Sequence, residues 1–173
     1  MSSTESLPTD TTLVTTRMTF DAPPSRAWET LMFYEQVETR PPLHLRLLLP
    51  VPIRTEGRKE VEGDEALCLY EGGNLIKRVT KVEPGKHYAF SVVKQELEVG
   101  GGMRLSGGWY TLHERPDGRT DVEAATRYAS PKRPRWLWEP VEATVCHMFH
   151  RHILREMRQH AEKPPQLADE AAK

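Results

Sequence analysis

Two helical patterns, one short and near the start, the other long and near the end, bracket a chain that otherwise reads as strands and turns. An extended run rich in Thr and Val, Thr12 to Phe20, leads into Asp21-Ala22-Pro23-Pro24. β-Branched residues of that kind favour a pleated strand. The two prolines suit a helix start, because the first turn needs no amide donors. Trp28, Leu31 and Met32 follow at i, i+3 and i+4, one face of a short helix. Near the far end, Pro140 to Ala161 carries Val141, Val145, Met148 and His152 beside Phe149, Ile153 and Met157, a wide apolar stripe. At ~1.5 Å per residue this helix reaches roughly 33 Å, enough to cross a whole sheet. The pattern predicts an α+β fold in which one sheet grips a long helix, with interior space between them.

The middle of the chain is punctuated at hairpin spacing. Glu65 to Glu71 stops at Gly72-Gly73-Asn74, Leu75 to Val82 at Glu83-Pro84-Gly85, and His87 to Val99 at Gly100-Gly101-Gly102. Met103 to Glu114 stops at Pro116-Asp117-Gly118, and Thr120 to Ser130 at Pro131. Connections this short pair neighbouring strands antiparallel. Gly107-Gly108 inside a strand pattern predicts a bulge or a sharp bend. The run Leu43 to Ile53 reads as a short buried helix, an edge segment or a cavity rim, and the sequence leaves that choice open.

A chain of 173 residues favours one domain, placed here at 12–161, with 1–11 and 162–173 as disordered tails. Pro164-Pro165 stops the long helix. The formal net charge of −1 gives no reason to expect a nucleic-acid partner. No run approaches the roughly 18 apolar residues of a membrane span, so no integral membrane association is expected. Met1 to Asp10 has neither the basic start nor the apolar core of a signal peptide, which points to the cytoplasm. Cys68 and Cys146 make no disulfide framework and read as two free thiols.

The order of these elements resembles the START-like, or SRPBCC, helix-grip superfamily, which includes polyketide cyclase/dehydrase-type domains. Phe20-Asp21-Ala22-Pro23-Pro24 with Trp28 and Leu31 carries the resemblance. So do the Gly118 to Val122 turn and strand, the strand end Thr126-Arg127-Tyr128, and the helix from His150 to Met157. The resemblance covers about residues 12 to 161. It implies a curved antiparallel sheet wrapped around the C-terminal helix, short helices after the first strand, and an apolar cavity. It also implies binding of lipids or other hydrophobic molecules, or cyclase and dehydratase chemistry on polyketides. Fold alone does not choose between these.

Such a cavity is mostly apolar with a few placed polar groups. The sequence nominates Arg78, Gln95, Tyr128, Glu142, Val145 and Phe149 as ligand-binding residues. Arg78 and Glu142 read either as an inward ion pair that orients a polar ligand group, or as a structural salt bridge or plain surface charges. His147, with Tyr128 and Tyr110, is the candidate catalytic set, since His suits proton transfer near neutrality. His147 and His150 stand at i, i+3, but no established metal-ligand spacing is present and no metal or other cofactor is expected. The leading expectation is a binder of a small hydrophobic molecule. The alternatives are a polyketide cyclase, aromatase or dehydratase, and an interaction module that docks a partner through 43–53. A homodimer stays open.

Overall fold

The computed structural model describes residues 11–33, 43 and 50–163. Strand β1 (Thr11–Phe20) alternates in burial, with Val14, Thr16 and Phe20 turned inward. Helix α1 (Pro24–Phe33) begins at Pro24, and the Pro23 carbonyl accepts from the amides of Arg26 and Ala27. Its inner face buries Ala27 and Leu31. Six strands follow: β2 (Pro52–Gly57), β3 (Glu65–Tyr70), β4 (Gly73–Glu83), β5 (His87–Glu96), β6 (Arg104–Glu114) and β7 (Thr120–Ala129). Helix α2 (Arg135–Glu162) closes the fold. The strands form one antiparallel sheet in the order β1-β7-β6-β5-β4-β3-β2. The first strand therefore pairs with the last, as Val14 opposite Thr126 and Met18 opposite Val122.

The expected bend falls at the two glycines. The β6–β7 register shifts between Leu105 and Gly107, and Gly107 sits at φ 156°. A Cβ on Gly107 would collide with the Phe90 carbonyl oxygen, and one on Gly108 with that of Ala125. Only glycine lets three backbones approach this closely at the bend.

Two boundaries differ from the sequence reading. β2 was not expected, because nearly every residue in it is exposed and apolar alternation is lost. It is an edge strand carrying Arg54, Thr55 and Glu56, the kind of charged edge that resists pairing with another chain. The long helix starts at Arg135, not near Pro140, and Pro140 lies inside it. Proline lacks the amide donor, so it reads as a start signal even where the helix continues through it. Of the expected tails at 1–11 and 162–173, Thr11 belongs to β1 and Glu162 to α2, while 1–10 and 164–173, with residues 44–49 of the ambiguous run, lie outside the described residues.

The main core joins the sheet, α1 and the C-terminal half of α2. Phe20, Val122, Leu154 and Met157 have no exposed surface, and Ala27, Leu31 and Ala161 pack with them. A second cluster of Val14, Leu97, Val99, Met103 and Tyr128 lies toward the other end, with Cys146 against it. Between the two, sheet and helix stand apart.

Candidate functional site

A cavity of about 1140 Å³ lies between the concave face of the sheet and α2. Its apolar wall comes from residues that alternate inward along the strands, such as Leu75 and Val79 on β4 and Ala124 on β7. α2 supplies Val145, Phe149 and Ile153 from successive turns. Cys68 and Cys146, both free thiols, line it as well. Burial pushes the Cys146 thiol up to about 11, so it is protonated near neutrality and a poor nucleophile.

Three polar features are set into or against this wall. The first is an ion pair at the N-terminal end of α2. Arg135 donates to Glu142 Oε2 at 2.9 Å, and Ser130 donates to Oε1 at 2.5 Å. Arg135 also donates to Thr12 Oγ1 at 3.2 Å, which ties β1 to the helix. Glu142 is buried and lines the cavity, and this pairing offsets the hydration its carboxylate gives up.

The second is a hydrogen-bonded chain from β1 through α2 to β7. Thr16 Oγ1 lies 2.7 Å from His147 Nδ1 and 3.0 Å from His150 Nδ1. A hydroxyl has one proton, so Thr16 donates to one imidazole and accepts from the other. The far nitrogen of His150, Nε2, meets Thr126 Oγ1 at 2.8 Å, with Cys146 Sγ at 3.7 Å. Burial, with a smaller push from His147, holds the His150 imidazole down at about 4. It is neutral at ordinary pH, with both nitrogens engaged.

The third is Tyr128. Its ring is fully buried in the second cluster and lines the cavity. Among the described residues it holds the one buried side-chain oxygen or nitrogen with no hydrogen-bond partner. Leaving such a group unpaired costs about 1–3 kcal/mol. Burial first, then the nearby Glu142 carboxylate, push the phenol up to about 12.

The structure sorts the sequence candidates. Tyr128, Glu142, Val145, Phe149 and Tyr110 all line the cavity. Arg78 does not join Glu142. It is exposed on the outer face, where it donates twice to Glu65 Oε1, at 2.9 and 2.6 Å. Strand parity is the reason: Leu75, Lys77 and Val79 point inward, which turns Arg78 out. The inward cation of β4 is Lys77, whose ammonium sits 4.8 Å from the centre of the Phe90 ring. Gln95 is occupied by backbone. Its amide nitrogen donates to the carbonyls of Leu97 and Met103, and its oxygen accepts from the Leu105 amide. It stands in for ladder bonds where β5 and β6 part beyond Ser91 and Gly107.

His147 meets Thr16 and does not line the cavity; the histidines that do are His150, one turn further along α2, and His152. The sequence reading passed over His150, Thr16 and Thr126 as site residues. The inward parity of Thr126 with Val122 and Ala124 was a usable signal for one of them. Partner choice between two neighbouring histidines was not readable from spacing.

Among the described residues, no helix is long and apolar enough to cross a membrane. No protein-family model matches the chain, and no curated protein matches it in sequence. Solved structures do match it in fold. One is the Zhui aromatase/cyclase from Streptomyces sp. R1128, with a TM-score of 0.63 and 16% identity over 88% of this chain and 94% of that one. Another is the Aha1 dimer from Colwellia psychrerythraea, at 0.53 and 13%, covering 87% and 96% of the two chains. A third is Ara h 8.0201, at 0.53 and 10%, covering 88% and 98%. With its seven-stranded curved sheet, its short helix after the first strand and its long closing helix, the chain shares the helix-grip fold of these structures.

Proposed function

We propose that this protein binds a small, largely hydrophobic molecule in the cavity between the sheet and α2. The observation that carries the reading is the cavity itself. Its volume of about 1140 Å³ lies just above the range of small-molecule sites, which run to roughly 1,000 Å³, so it has room for such a ligand. Its walls are mainly aliphatic and aromatic, with a few fixed polar groups, as such sites require. The test is native mass spectrometry of protein purified without detergent, compared with a Val145→Trp variant that puts an indole into the space. The reading expects an adduct of a few hundred daltons on the wild type and its loss from the variant. A wild-type protein that carries no adduct and takes up no apolar fluorophore overturns it.

A second reading, cyclase or dehydratase chemistry, draws on the likeness to an aromatase/cyclase and on Tyr110 and Tyr128 in the wall. Binding is favoured over it by the state of His147, the sequence's candidate base, and of its neighbour His150. A general base works best with a pKa near the working pH. His150 is held near 4 with both nitrogens bonded, and His147 faces Thr16. Steady turnover of a polyketide-like ketone that disappears in His150→Gln would reverse the preference.

A further inference from the structure

We propose that the Tyr128 hydroxyl is the cavity's hydrogen-bond donor and that it selects ligands carrying an uncharged oxygen acceptor, such as a ketone or ester carbonyl, on an apolar body. This deepens the binding reading and rests on it. The argument begins with what the fold tolerates. Buried polar atoms are nearly always paired. Here the neighbouring groups are paired: both oxygens of Glu142 are taken by Ser130 and Arg135, and both nitrogens of His150 by threonines. Tyr128 stands apart as a buried phenol with no partner. Phenylalanine would fill the same space among Val14, Leu97, Val99 and Met103 without that penalty. The oxygen therefore adds nothing to the packing of the unliganded chain, and its use lies with something the cavity receives.

The polarity of the neighbourhood sets the class of that acceptor. The phenol keeps its proton near neutrality, so it donates. Glu142 acts on it more strongly than Arg135 does, which leaves the local field negative. An anionic head group at the phenol would meet that field with Arg135 already engaged by Glu142 and Thr12, while two lysines of the wall, Lys77 and Lys132, lie over the Phe90 and Trp138 rings. A neutral carbonyl accepts the hydrogen bond and meets no such repulsion. The hydroxyl has no exposed surface, so an acceptor reaches it by moving part of its wall. Met103 is the member of that cluster most able to move, being an unbranched thioether. It also follows three successive glycines at positive φ, Gly100 to Gly102.

The test uses three matched probes: methyl β-naphthyl ketone, its isopropenyl analogue in which carbon replaces the oxygen, and β-naphthoate. Dissociation constants are measured for the wild type and for Tyr128→Phe, whose thermal unfolding is followed alongside. Comparing ratios between the two proteins cancels the different water solubilities of the probes. The proposal expects the preference for ketone over hydrocarbon to fall about tenfold in the variant, equivalent to about 1.4 kcal/mol, with hydrocarbon affinity unchanged. It also expects the carbonyl stretch of the bound ketone to lie lower in the wild type than in an alkane solvent. An unchanged ratio, or an alkane-like stretch in the wild type, overturns the anchoring role and leaves the binding reading standing. A naphthoate that depends on the hydroxyl as strongly as the ketone does overturns the uncharged class. Failure of all three probes to bind the wild type overturns the binding reading and this proposal with it.

Discussion

Toward its C-terminal end, α2 buries Ile153, Leu154, Met157 and Ala161 to 6% exposure or less, whereas toward its N-terminal end Val141 stands 50% exposed and Val145 and Phe149 are only half-buried. Both halves face the same sheet. The difference lies in α1, which places Ala27 and Leu31 against the C-terminal half and has no described counterpart at the other. Where three layers meet, the space is filled. Where sheet and helix face each other alone, the wall is left to surround a hollow, and of the polar features set into it the Glu142 and His150 groups are bonded within the protein while the Tyr128 hydroxyl is not. An apolar stripe on a helix thus says which side turns inward and nothing about whether the space beyond it is occupied.

The comparison yields a ranked set of expectations. Phe20→Ala, in the filled half, is expected to cost about 3–5 kcal/mol in denaturant unfolding, since the cavity it leaves has no slack to close. A cost below about 1 kcal/mol would show that the two halves are packed alike. Next comes Glu142→Ala, which leaves Arg135 in a half-closed site without its carboxylate. The expected loss is roughly 3 kcal/mol, because a buried pair broken on one side leaves an unanswered charge. Equal stability of variant and wild type would mean that water reaches this end freely.

Acid titration probes the hollow half through His150. Its imidazole is held below the ordinary 6.5, at about 4, mainly by burial. Between those values the unfolded chain takes up a proton that the folded chain refuses. The stability is therefore complete above about pH 6.5 and is lost as pH falls toward 4, by up to roughly 3 kcal/mol. Melting temperatures across that window should fall less steeply in His150→Gln than in the wild type. Parallel slopes would place the imidazole in a wetter setting than its contacts indicate.

The smaller effects separate binding from folding. Val145→Trp should shift stability by less than about 1 kcal/mol, because the indole enters open space instead of a filled core. A penalty of the size seen for overpacked cores would show the hollow to be smaller than its outline. Tyr128→Phe should leave the unliganded protein about 1 kcal/mol more stable or unchanged, as an unpaired hydroxyl is removed from a buried place. A clear destabilisation would reveal a partner for that oxygen.

Much of the architecture was legible from residue order. The pleated run before Pro23-Pro24, the short helix with Leu31 inward and the hairpin-spaced strands all appear where composition and spacing put them. The bend at Gly107-Gly108 does too. β2 escaped notice because an edge strand exposed on both sides has no period to detect. The site was less legible. Tyr128, Glu142, Val145 and Phe149 could be nominated because the phase of a helix or strand assigns them to one face. Arg78 was misplaced by one residue of strand parity, and Gln95 by the backbone bonds it replaces. Glu142 was read against Arg78 when its partner sits seven residues back along the same helix, at Arg135.

By itself, the sequence determined which segments form strands and helices and which of their faces turn inward, because those follow from local periodicity and from the turn chemistry of Gly and Pro. Only the tertiary structure decided that β1 closes against β7, that Thr16 joins two histidines on α2, and that one phenol is sealed in without a partner. Hydrogen bonds between residues more than a hundred positions apart, and the volume left between two layers, depend on how those layers are set against each other. No local pattern in the chain encodes that distance.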